Sequence, residues 1–321
     1  MLLRFNGVFF GDYRAGKFSG SEGPLAVGGS FRGEHAMINR RQQAHPCDRD
    51  DHEFVLNGTN DSPHVKVHGH AFIQYPGQQV DSCSREKEVG KHRYDFKQVQ
   101  SAALAISNKL AGMFPSWTID SKGVIVRLAT EGVRLRQPYH LFTLPAVCQG
   151  QCELEELSFE CHLNDDCKIP KEALSHVALD MLLGKGAWTG PVEQTYPQDR
   201  LIVFNIPVVD GQTVNIMTDN PSAGLNACNT VYHFYAVDQK GQFARKGQFV
   251  IRRNSKYPFS GMILAPQAHI VDSNIGSFAG QIIAQSYEAQ ADHVQIKDYI
   301  AAGDEKCQTF YPDCVPDEFT D

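Results

Sequence analysis

Histidines recur at short spacing in the segment "HVKVHGH", which runs from His64 to His70. In a β-strand, side chains two residues apart project from the same face, so His64, Lys66, His68 and His70 would share one face. Two or three imidazoles on one face are a ligand set for zinc or copper. The alternative is a solvated polar strand face, and Lys66 among the histidines favours that alternative.

Cysteine is the second residue type that could do chemistry, with nine copies in the chain. Four of them lie together in "CQGQCELEELSFECHLNDDC", and two more lie near the C-terminus in "CQTFYPDC". Such clusters are typical of disulfides that join loops in an oxidising compartment. A zinc site is the weaker alternative, because the two-residue spacing of strong zinc motifs does not occur there. The disulfide candidates are Cys148, Cys152, Cys161, Cys167, Cys307 and Cys314.

Two acidic residues and two asparagines near the N-terminus are further candidates for ligand binding or modification. Asp12 and Glu22 carry the oxygen ligands that a structural Ca²⁺ prefers. Their carboxylates can instead accept hydrogen bonds from backbone N–H groups in turns, which is the role we expect. No other cofactor is expected. Asn57 and Asn60 in "NGTNDS" each begin an N-glycosylation motif.

Motifs of common enzyme classes do not occur in the sequence. Ser30 in "GGSFRG" is followed by Arg32 where a nucleophile elbow needs glycine. The segment "GKGAWTG" has neither the spacing nor the Lys-Ser/Thr end of a Walker loop. An acid–base pair assembled from separate strands is the remaining catalytic alternative. We therefore expect a protein that is not an enzyme.

Composition and charge narrow the classes of partner. Hydrophobic residues make up 42% of the chain and charged residues 21%, which is typical of a folded protein. A net charge of -7 with scattered basic residues disfavours nucleic acid and anionic lipid. No apolar run is long enough to predict a transmembrane segment. The opening "MLLRFNG" lacks the features of a signal peptide, but the cysteines favour a secreted chain whose leader has been removed.

A repeated phrase in the sequence indicates the strands that must position these residues. "FSGMILA", which begins at Phe259, recurs 19 residues later as "FAGQIIA", which begins at Phe278. One coil of a β-solenoid takes about twenty residues, and repeats of this length indicate solenoid architecture. We expect Phe259 to stack on Phe278, and Gly261 and Gly280 to lie where the backbone turns.

One segment has a helical pattern instead. In "YDFKQVQSAALAISNKLAGM", apolar residues recur in steps of three and four, which predicts an amphipathic helix over residues 94–114 with Asp95 as its N-cap. A second, weaker helix is predicted over residues 171–183. The stripe of the first helix is interpreted as a packing face. Its residues are Phe96, Val99, Ala103, Ile106, Leu110 and Met113.

Both ends of the chain resemble a known family. The segment "FNGVFFGDYRAGKFSGSEGPLAVGGSF" contains a Phe-Phe-Gly-Asp phrase ending at Asp12 and "EGPLAVGG" from Glu22. The segments "GMILAPQA" and "NIGSFAGQIIA" follow near the C-terminus. These phrases are similar to the opening and closing phrases of the choice-of-anchor A family, also described as ice-binding-like adhesive domains. The resemblance implies a mainly β, right-handed β-helix with one long α-helix packed along its side, in a secreted or surface-attached protein.

The resulting domain prediction is one β-solenoid domain over residues 1–300. Within it lie the side helix over 94–114 and a Cys-rich insertion over 148–188. Residues 301–321 are predicted to form an acidic tail that a Cys307–Cys314 disulfide closes.

The predicted function is that of a secreted or cell-surface adhesive module, which recognises a glycan or another surface polymer through a flat face of the solenoid. A structural cell-wall or extracellular-matrix protein that self-associates is the main alternative, followed by an ice-binding protein and a polysaccharide-active enzyme. The absence of a Thr-x-Thr array argues against ice binding. The residues proposed for the ligand face are Tyr235, Gln267, His269 and Gln281.

Overall fold

The fold of the protein was derived from a computed structural model. The structure describes residues 4–41, 47, 51–75, 80–83, 85–86, 94–128, 138–148, 157–158, 168–169, 177–183 and 188–303. Within these residues the chain is mainly β, with few helices.

The N-terminal part of the chain consists of short strands separated by turns. In chain order they are β1 (Gly7–Phe9), β2 (Tyr13–Arg14), β3 (Gly20–Ser21), β4 (Leu25–Val27), β5 (Phe31–Arg32), β6 (Met37–Ile38), β7 (His52–Leu56), β8 (Val65–Val67), β9 (His70–Ile73), β10 (Val80–Asp81) and β11 (Arg85–Glu86). Frequent glycines and positive backbone φ angles in the connections suit such tight turns.

The middle of the chain contains the two α-helices. Its elements are α1 (Phe96–Ala111), β12 (Trp117–Ile119), β13 (Ile125–Arg127), β14 (Tyr139–Thr143), β15 (Leu157–Ser158), β16 (Lys168–Ile169) and α2 (Val177–Leu183). The predicted N-cap of α1 is confirmed, because the Asp95 side chain accepts hydrogen bonds from the backbone N–H groups of Lys97 and Gln98. The predicted start of α2, residues 171–176, lies outside the described residues.

The C-terminal part holds the longest strands. They are β17 (Leu201–Val209), β18 (Thr213–Ile216), β19 (Thr230–Val237), β20 (Phe249–Arg253), β21 (Phe259–Asp272), β22 (Phe278–Ala289) and β23 (Gln295–Ile296). Short 3-10 turns at Ala227–Asn229 and Tyr299–Ala302 complete this part.

The main sheet joins the two ends of the chain. Its strand order is β11-β9-β7-β4-β1-β22-β21-β19-β17-β14-β12-β13, and only the pair of β12 and β13 in this path is antiparallel. The C-terminal strand β22 therefore lies between β1 and β21, with Gly7 opposite Ile282. The N-terminal strands extend the sheet on one side of β22, and the middle of the chain extends it on the other.

Two further sets of strands run beside this path. The second halves of β21 and β22 pair with β20 and β2, and these pair in turn with β18 and β5. A separate parallel sheet has the order β10-β8-β6-β3-β23. Successive N-terminal strands thus belong to different sets of paired strands. Residues that are close in the sequence can therefore lie on different surfaces of the domain.

The repeated phrase forms two adjacent, in-register strands, as predicted. Phe259 pairs with Phe278, and their ring centroids lie 5.9 Å apart. Gly261 pairs with Gly280 inside these strands and not, as the sequence had predicted, where the backbone turns; their φ angles are 129° and 142°. A Cβ atom at Gly280 would lie 2.2 Å from the Gly261 carbonyl oxygen, so the close approach of these backbones requires glycine.

Helix α1 covers the outward side of the main sheet. Its predicted apolar stripe is buried or half-buried in one cluster with residues from the sheet strands. The sheet residues in this cluster include Val8, Ala26, Val55, Val203, Leu264 and Ile283. The interpretation of the stripe as a packing face is therefore confirmed.

Candidate binding face

Helix α1 covers only part of the outward sheet surface, and another part is open to solvent. We call the outward side of β5, β2, the second halves of β22 and β21, β20 and β18 the polar face. The opposite, inward side of these strands is filled by apolar and aromatic residues such as Tyr13, Tyr287 and Ile270. The Tyr13 and Tyr287 rings stack with centroids 4.8 Å apart, so the polar face rests on a packed interior.

One row of side chains crosses the polar face at matched positions on six parallel strands. The pairing places these residues side by side, from β5 to β18: Arg32, Arg14, Glu288, Val271, Arg252 and Asn215. Adjacent strands lie about 4.8 Å apart, so the charged and polar groups of the row lie at nearly regular intervals on either side of Val271. Val271 itself is apolar and 7% exposed.

Two of the three arginines in this row, Arg14 and Arg32, are held loosely. Arg14 lies 3.9 Å from Asp12 and Arg32 lies 3.9 Å from Asp61, and the two arginine side chains are 60% and 66% exposed. Exposed ion pairs at such distances contribute little to stability. The guanidinium groups of Arg14 and Arg32 are therefore available to a ligand at small cost.

A second row of polar groups lies beside the first. The Ser30 and Thr59 hydroxyls lie 3.0 Å apart, and the Ser286 hydroxyl lies 2.8 Å from His269 Nδ1. Asp12 accepts a hydrogen bond from the Ser30 N–H at 2.9 Å, which is the turn role predicted for it. Together the two rows can offer a ligand guanidinium, carboxylate, imidazole and hydroxyl groups on one surface.

Comparison with known proteins places the chain in a family. The model of a family described as an ice-binding-like adhesive domain matches residues 1–144 and 178–296. The chain belongs to this family. Residues 145–177 lie outside the match and overlap most of the predicted Cys-rich insertion over 148–188, whose residues 178–188 lie inside the match. None of the curated proteins matches the chain.

Family membership bears on role and location. An adhesive domain indicates a ligand-binding and non-enzymatic role. Membership and a disulfide between Cys47 and Cys83 also indicate an extracellular or surface location. In the part of the chain that the structure describes, no helix is long and apolar enough to cross a membrane.

His269 is the one residue proposed for the ligand face of this adhesive domain that lies on the polar face. Its side chain is 36% exposed, and its Nε2 atom lies 3.6 Å from the Glu288 carboxylate. His269 also pairs in register with Val250 on β20, in the second row. His269 is therefore partly exposed on this surface, and its contact with a ligand stays a prediction.

The other three proposed residues are buried, which corrects the sequence-based assignment. Gln267 is 5% exposed, and its amide bonds the backbone of residues 236, 244 and 247. Gln281 is 3% exposed and donates to the Phe5 carbonyl oxygen at 2.7 Å. Tyr235 is 2% exposed and stacks on His233. Their polar groups serve the interior and cannot contact a large surface ligand.

The histidines proposed as metal ligands do not converge. His64 precedes β8, His68 follows it, and His70 begins β9. His70 Nε2 lies 3.2 Å from the Cys47 carbonyl oxygen, whereas the His64 ring stacks on His35. Among the described residues, no group of three His, Cys, Asp or Glu side chains could hold a metal ion.

Glu22, the other proposed Ca²⁺ ligand, lies in an ion-pair cluster. Its Oε2 atom accepts a hydrogen bond from Arg41 at 2.6 Å and another from the Asp298 N–H at 3.2 Å. Arg41 also lies 2.8 Å from the Asp298 carboxylate. Burial raises the pKa of Asp298, and the nearby Arg41 guanidinium opposes this. The cluster joins residues beside β3 and β6 to the 3-10 turn at Tyr299–Ala302.

The disulfides differ in part from those proposed. Cys47 and Cys83 form a disulfide with a Cα–Cα distance of 5.4 Å, although neither was a candidate. Cys148, which was a candidate, and Cys228 are each disulfide-bonded. The remaining candidates lie outside the described residues: Cys152, Cys161, Cys167, Cys307 and Cys314.

The two predicted glycosylation sites lie at the end of β7 and in the turn after it. Asn57 and Asn60 are both half-buried. The Asn60 side chain forms hydrogen bonds with the backbone of Ser62, accepting from its N–H and donating to its carbonyl oxygen, both at 3.1 Å. Glycosylation of either residue stays a prediction.

A serine, a histidine and an asparagine meet beneath α1. The Ser107 hydroxyl lies 2.7 Å from His233 Nε2, and His233 Nδ1 lies 2.7 Å from Asn205 Oδ1. Asn205 also donates to the Leu110 carbonyl oxygen of α1 at 2.7 Å. Asn205 Oδ1 is an acceptor, so Nδ1 carries the proton and Nε2 accepts from the serine.

This buried chain of hydrogen bonds holds the helix and is not an active site. Ser107, His233 and Asn205 are fully buried between α1 and the sheet, so a substrate has no access to the serine. Burial lowers the pKa of His233 to about 3, so its imidazole remains neutral at physiological pH. These hydrogen bonds provide partners for polar groups that would otherwise be buried without them.

Proposed function

We propose that this domain is a secreted or surface-attached adhesive module that binds a glycan or another surface polymer through the polar face. The observation that carries the proposal is the in-register row that contains Arg14, Arg32, Glu288 and Arg252. Its two loosely paired arginines are available for contacts outside the domain.

We also infer that the strands wind as a β-solenoid, with about one coil for each twenty residues. The parallel, in-register pairing of equivalent strands supports this inference. In such an architecture, equivalent residues recur at the spacing of adjacent strands. A polymer with repeated polar groups would then make many similar contacts along the face.

The chemistry of the polar face fits a polar polymer better than an apolar partner. Guanidinium groups bind carboxylates and hydroxyl oxygens, and the Glu288 carboxylate and the Ser286 and His269 side chains bind hydroxyl groups. Each contact at an exposed site is weak, so affinity would depend on simultaneous contacts along the polymer. Such binding suits adhesion, where many copies of a domain act together.

Binding of the purified domain to a glycan array and to intact cells tests this proposal. The polar-face variant is Arg14→Ser/Arg32→Ser, and the matched control is Lys122→Ser/Arg245→Ser, which removes the same charge from exposed sites elsewhere. We expect the polar-face variant to lose at least about tenfold in affinity and the control to bind as the parent does.

Two results would contradict the proposal. Equal binding by both variants would place the ligand elsewhere on the domain. Failure of the parent to bind glycans or cells, together with concentration-dependent self-association, would instead favour a structural matrix protein.

A further inference from the structure

Four exposed rings are stacked in a row beside the polar face. We call Phe18, His35, His64 and His293 the ring ladder. Each lies two positions before one of the residues that pair across the separate parallel sheet, which are Gly20, Met37, Lys66 and Gln295. The four rings therefore occupy equivalent positions in the turns that precede four adjacent strands.

The rings of the ladder are nearly parallel. From His293 to Phe18, from Phe18 to His35 and from His35 to His64, the centroids are 5.2, 5.1 and 5.0 Å apart. The corresponding angles between ring planes are 12°, 8° and 5°. Because the ring faces contact one another, the edges are what the ladder presents to solvent. Phe18 is 49% exposed, and the side chain of His35 is 41% exposed.

The backbone of the ladder is unusual for such large residues. Phe18, His35, His64 and His293 have φ angles of 57°, 55°, 58° and 61°. Glycine and asparagine adopt this left-handed conformation at the least cost, whereas a bulky residue such as phenylalanine is strained there. Histidine is more common there than most other residues, so the strain is greatest at Phe18. The strained position of Phe18 in a row of stacked rings indicates a role beyond the turn itself.

The charge of the ladder depends on its imidazoles. Lys17 Nζ lies 2.9 Å from the Glu34 carboxylate, and the Lys17 N–H donates to Asp292 Oδ1. Glu34 also lies 3.8 Å from His35 Nε2. With neutral imidazoles, Lys17, Glu34 and Asp292 sum to a charge of -1, and protonation of three imidazoles changes the sum to +2.

Among the described residues, further charges near the ladder lie in the turn before His64 and on the strand after it. There Asp61 lies 3.9 Å from Arg32, so this pair is balanced. Lys66, on the sheet that follows, is exposed and adds positive charge. These groups therefore do not lower the sum of +2 that the protonated ladder carries together with Lys17, Glu34 and Asp292.

We propose that the ring ladder is a second binding site, which takes a polymer bearing carboxylate or sulfate groups when its imidazoles are protonated. Histidine is the side chain that changes charge between about pH 5 and pH 8. A charged imidazole is stabilised against a face of Phe18 by cation–π attraction. The repulsion between His35 and His64 is relieved when an anion neutralises both edges, so proton binding and anion binding reinforce each other.

The spacing of the ladder favours a polymer over a single ion. His35 and His64 are neighbours whose ring centroids lie 5.0 Å apart, whereas Phe18 lies between His35 and His293. One small anion can contact the edges of His35 and His64 but cannot also reach His293, whereas successive charged groups of a chain can contact all three imidazoles. This site lies next to the polar face and goes beyond its proposed function, because it adds proton-dependent binding of anionic groups. Its test can therefore be separated from the test of the polar face.

The test compares binding of polygalacturonate, dextran sulfate and neutral dextran to the whole domain at about pH 5 and about pH 7.5. We expect both anionic polymers to bind at least about tenfold more tightly at the lower pH, with no such gain for dextran. A gain for only one anionic polymer would identify carboxylate or sulfate as the preferred group.

The variants are chosen to keep the backbone conformation. In His35→Asn/His64→Asn/His293→Asn, asparagine tolerates the left-handed conformation and carries no charge. We expect this variant to lose the gain at low pH and to bind as the parent does at about pH 7.5. The control His68→Asn removes a histidine outside the ladder, and circular dichroism checks that each variant is folded.

Three results would overturn the proposal. They are equal binding of both anionic polymers at the two pH values, a gain that the triple variant retains, and a gain that neutral dextran shares. The polar-face variant Arg14→Ser/Arg32→Ser separates the two sites, because it should keep the gain at low pH even if its binding at neutral pH is lost.

Discussion

The helix-covered side of the main sheet and the polar face are both outward surfaces of parallel strands. They differ in the burial of their side chains and in how tightly their polar groups are paired. Under α1, outward residues such as Val8 and Leu264 are buried, and the polar group His233 is fully bonded. On the polar face, Arg14 and Arg32 extend into solvent with only loose partners. The alternation of side chains along a strand shows which residues point outward. Whether a helix covers them decides which of these residues can contact a ligand.

The sharpest form of this comparison lies within one strand. Arg252 and Arg253 are adjacent in β20 and project from opposite sides. Arg252 is exposed on the polar face, whereas Arg253 is fully buried and lies 2.6 Å from Asp272. Asp272 also accepts a hydrogen bond from the Tyr287 hydroxyl at 2.8 Å.

The largest effect is expected from Arg253→Met. The change leaves the Asp272 carboxylate in the interior without its cation, and removing one partner of a buried ion pair costs about 3–5 kcal/mol. Arg253 also donates to the carbonyl oxygens of Ser255 and Ser273, which would lose this donor. Urea unfolding measures the loss, and a cost below about 1 kcal/mol would mean that the pair contributes little.

An intermediate effect is expected from pH, through His233 on the helix-covered side. Its pKa is about 3 in the folded domain, against 6.5 for an ordinary histidine, so the unfolded chain binds the proton more readily. The stabilising contribution is therefore complete above about pH 6.5 and is lost as the pH falls toward 3.

The variant His233→Gln isolates this contribution. Between about pH 7 and pH 5, the parent should lose about 2 kcal/mol of unfolding free energy more than the variant does. Urea unfolding at both pH values provides the measurement. Equal losses in parent and variant would show that His233 is not held neutral by burial.

The smallest effect is expected from Arg252→Met. Both variants replace arginine by methionine, but Arg252 lies on the polar face and Arg253 in the interior. Surface substitutions away from special features change stability by about 0.5 kcal/mol or less. A cost near that of Arg253→Met would mean that the polar face supports the fold, and would weaken its assignment as a binding surface.

Local patterns predicted several elements of the fold correctly. The steps of three and four in the helical segment predicted α1, and Asp95 predicted its first residue, because both signals are local. The repeated phrase predicted that Phe259 and Phe278 pair. Glycine and apolar residues have the same spacing in both copies, so only one strand register aligns them. These parts need no knowledge of distant contacts.

The candidate site was less predictable because its residues meet through long-range pairing. Gln267, Gln281 and Tyr235 were assigned to the surface, but alternation along a strand does not reveal what covers it. Cys47 and Cys83 are 36 residues apart and isolated in the sequence, so no cluster marks them.

The ring ladder was also missed, although the sequence carries a weak signal for it. The segments "FSGS", "HAMI", "HVKV" and "HVQI" each place a ring two residues before an outward-facing strand position. Their irregular spacing along the chain hides the repeat, and only the strand register aligns them.

Hydroxyl-radical footprinting of the domain with and without a bound polymer tests most directly the claim that the polar face is the binding surface. We expect reactivity to fall at Arg14, His269 and Val250 on the polar face, and to stay unchanged at the exposed Lys97 of α1. Protection at α1 with unchanged reactivity on the polar face would contradict the assignment.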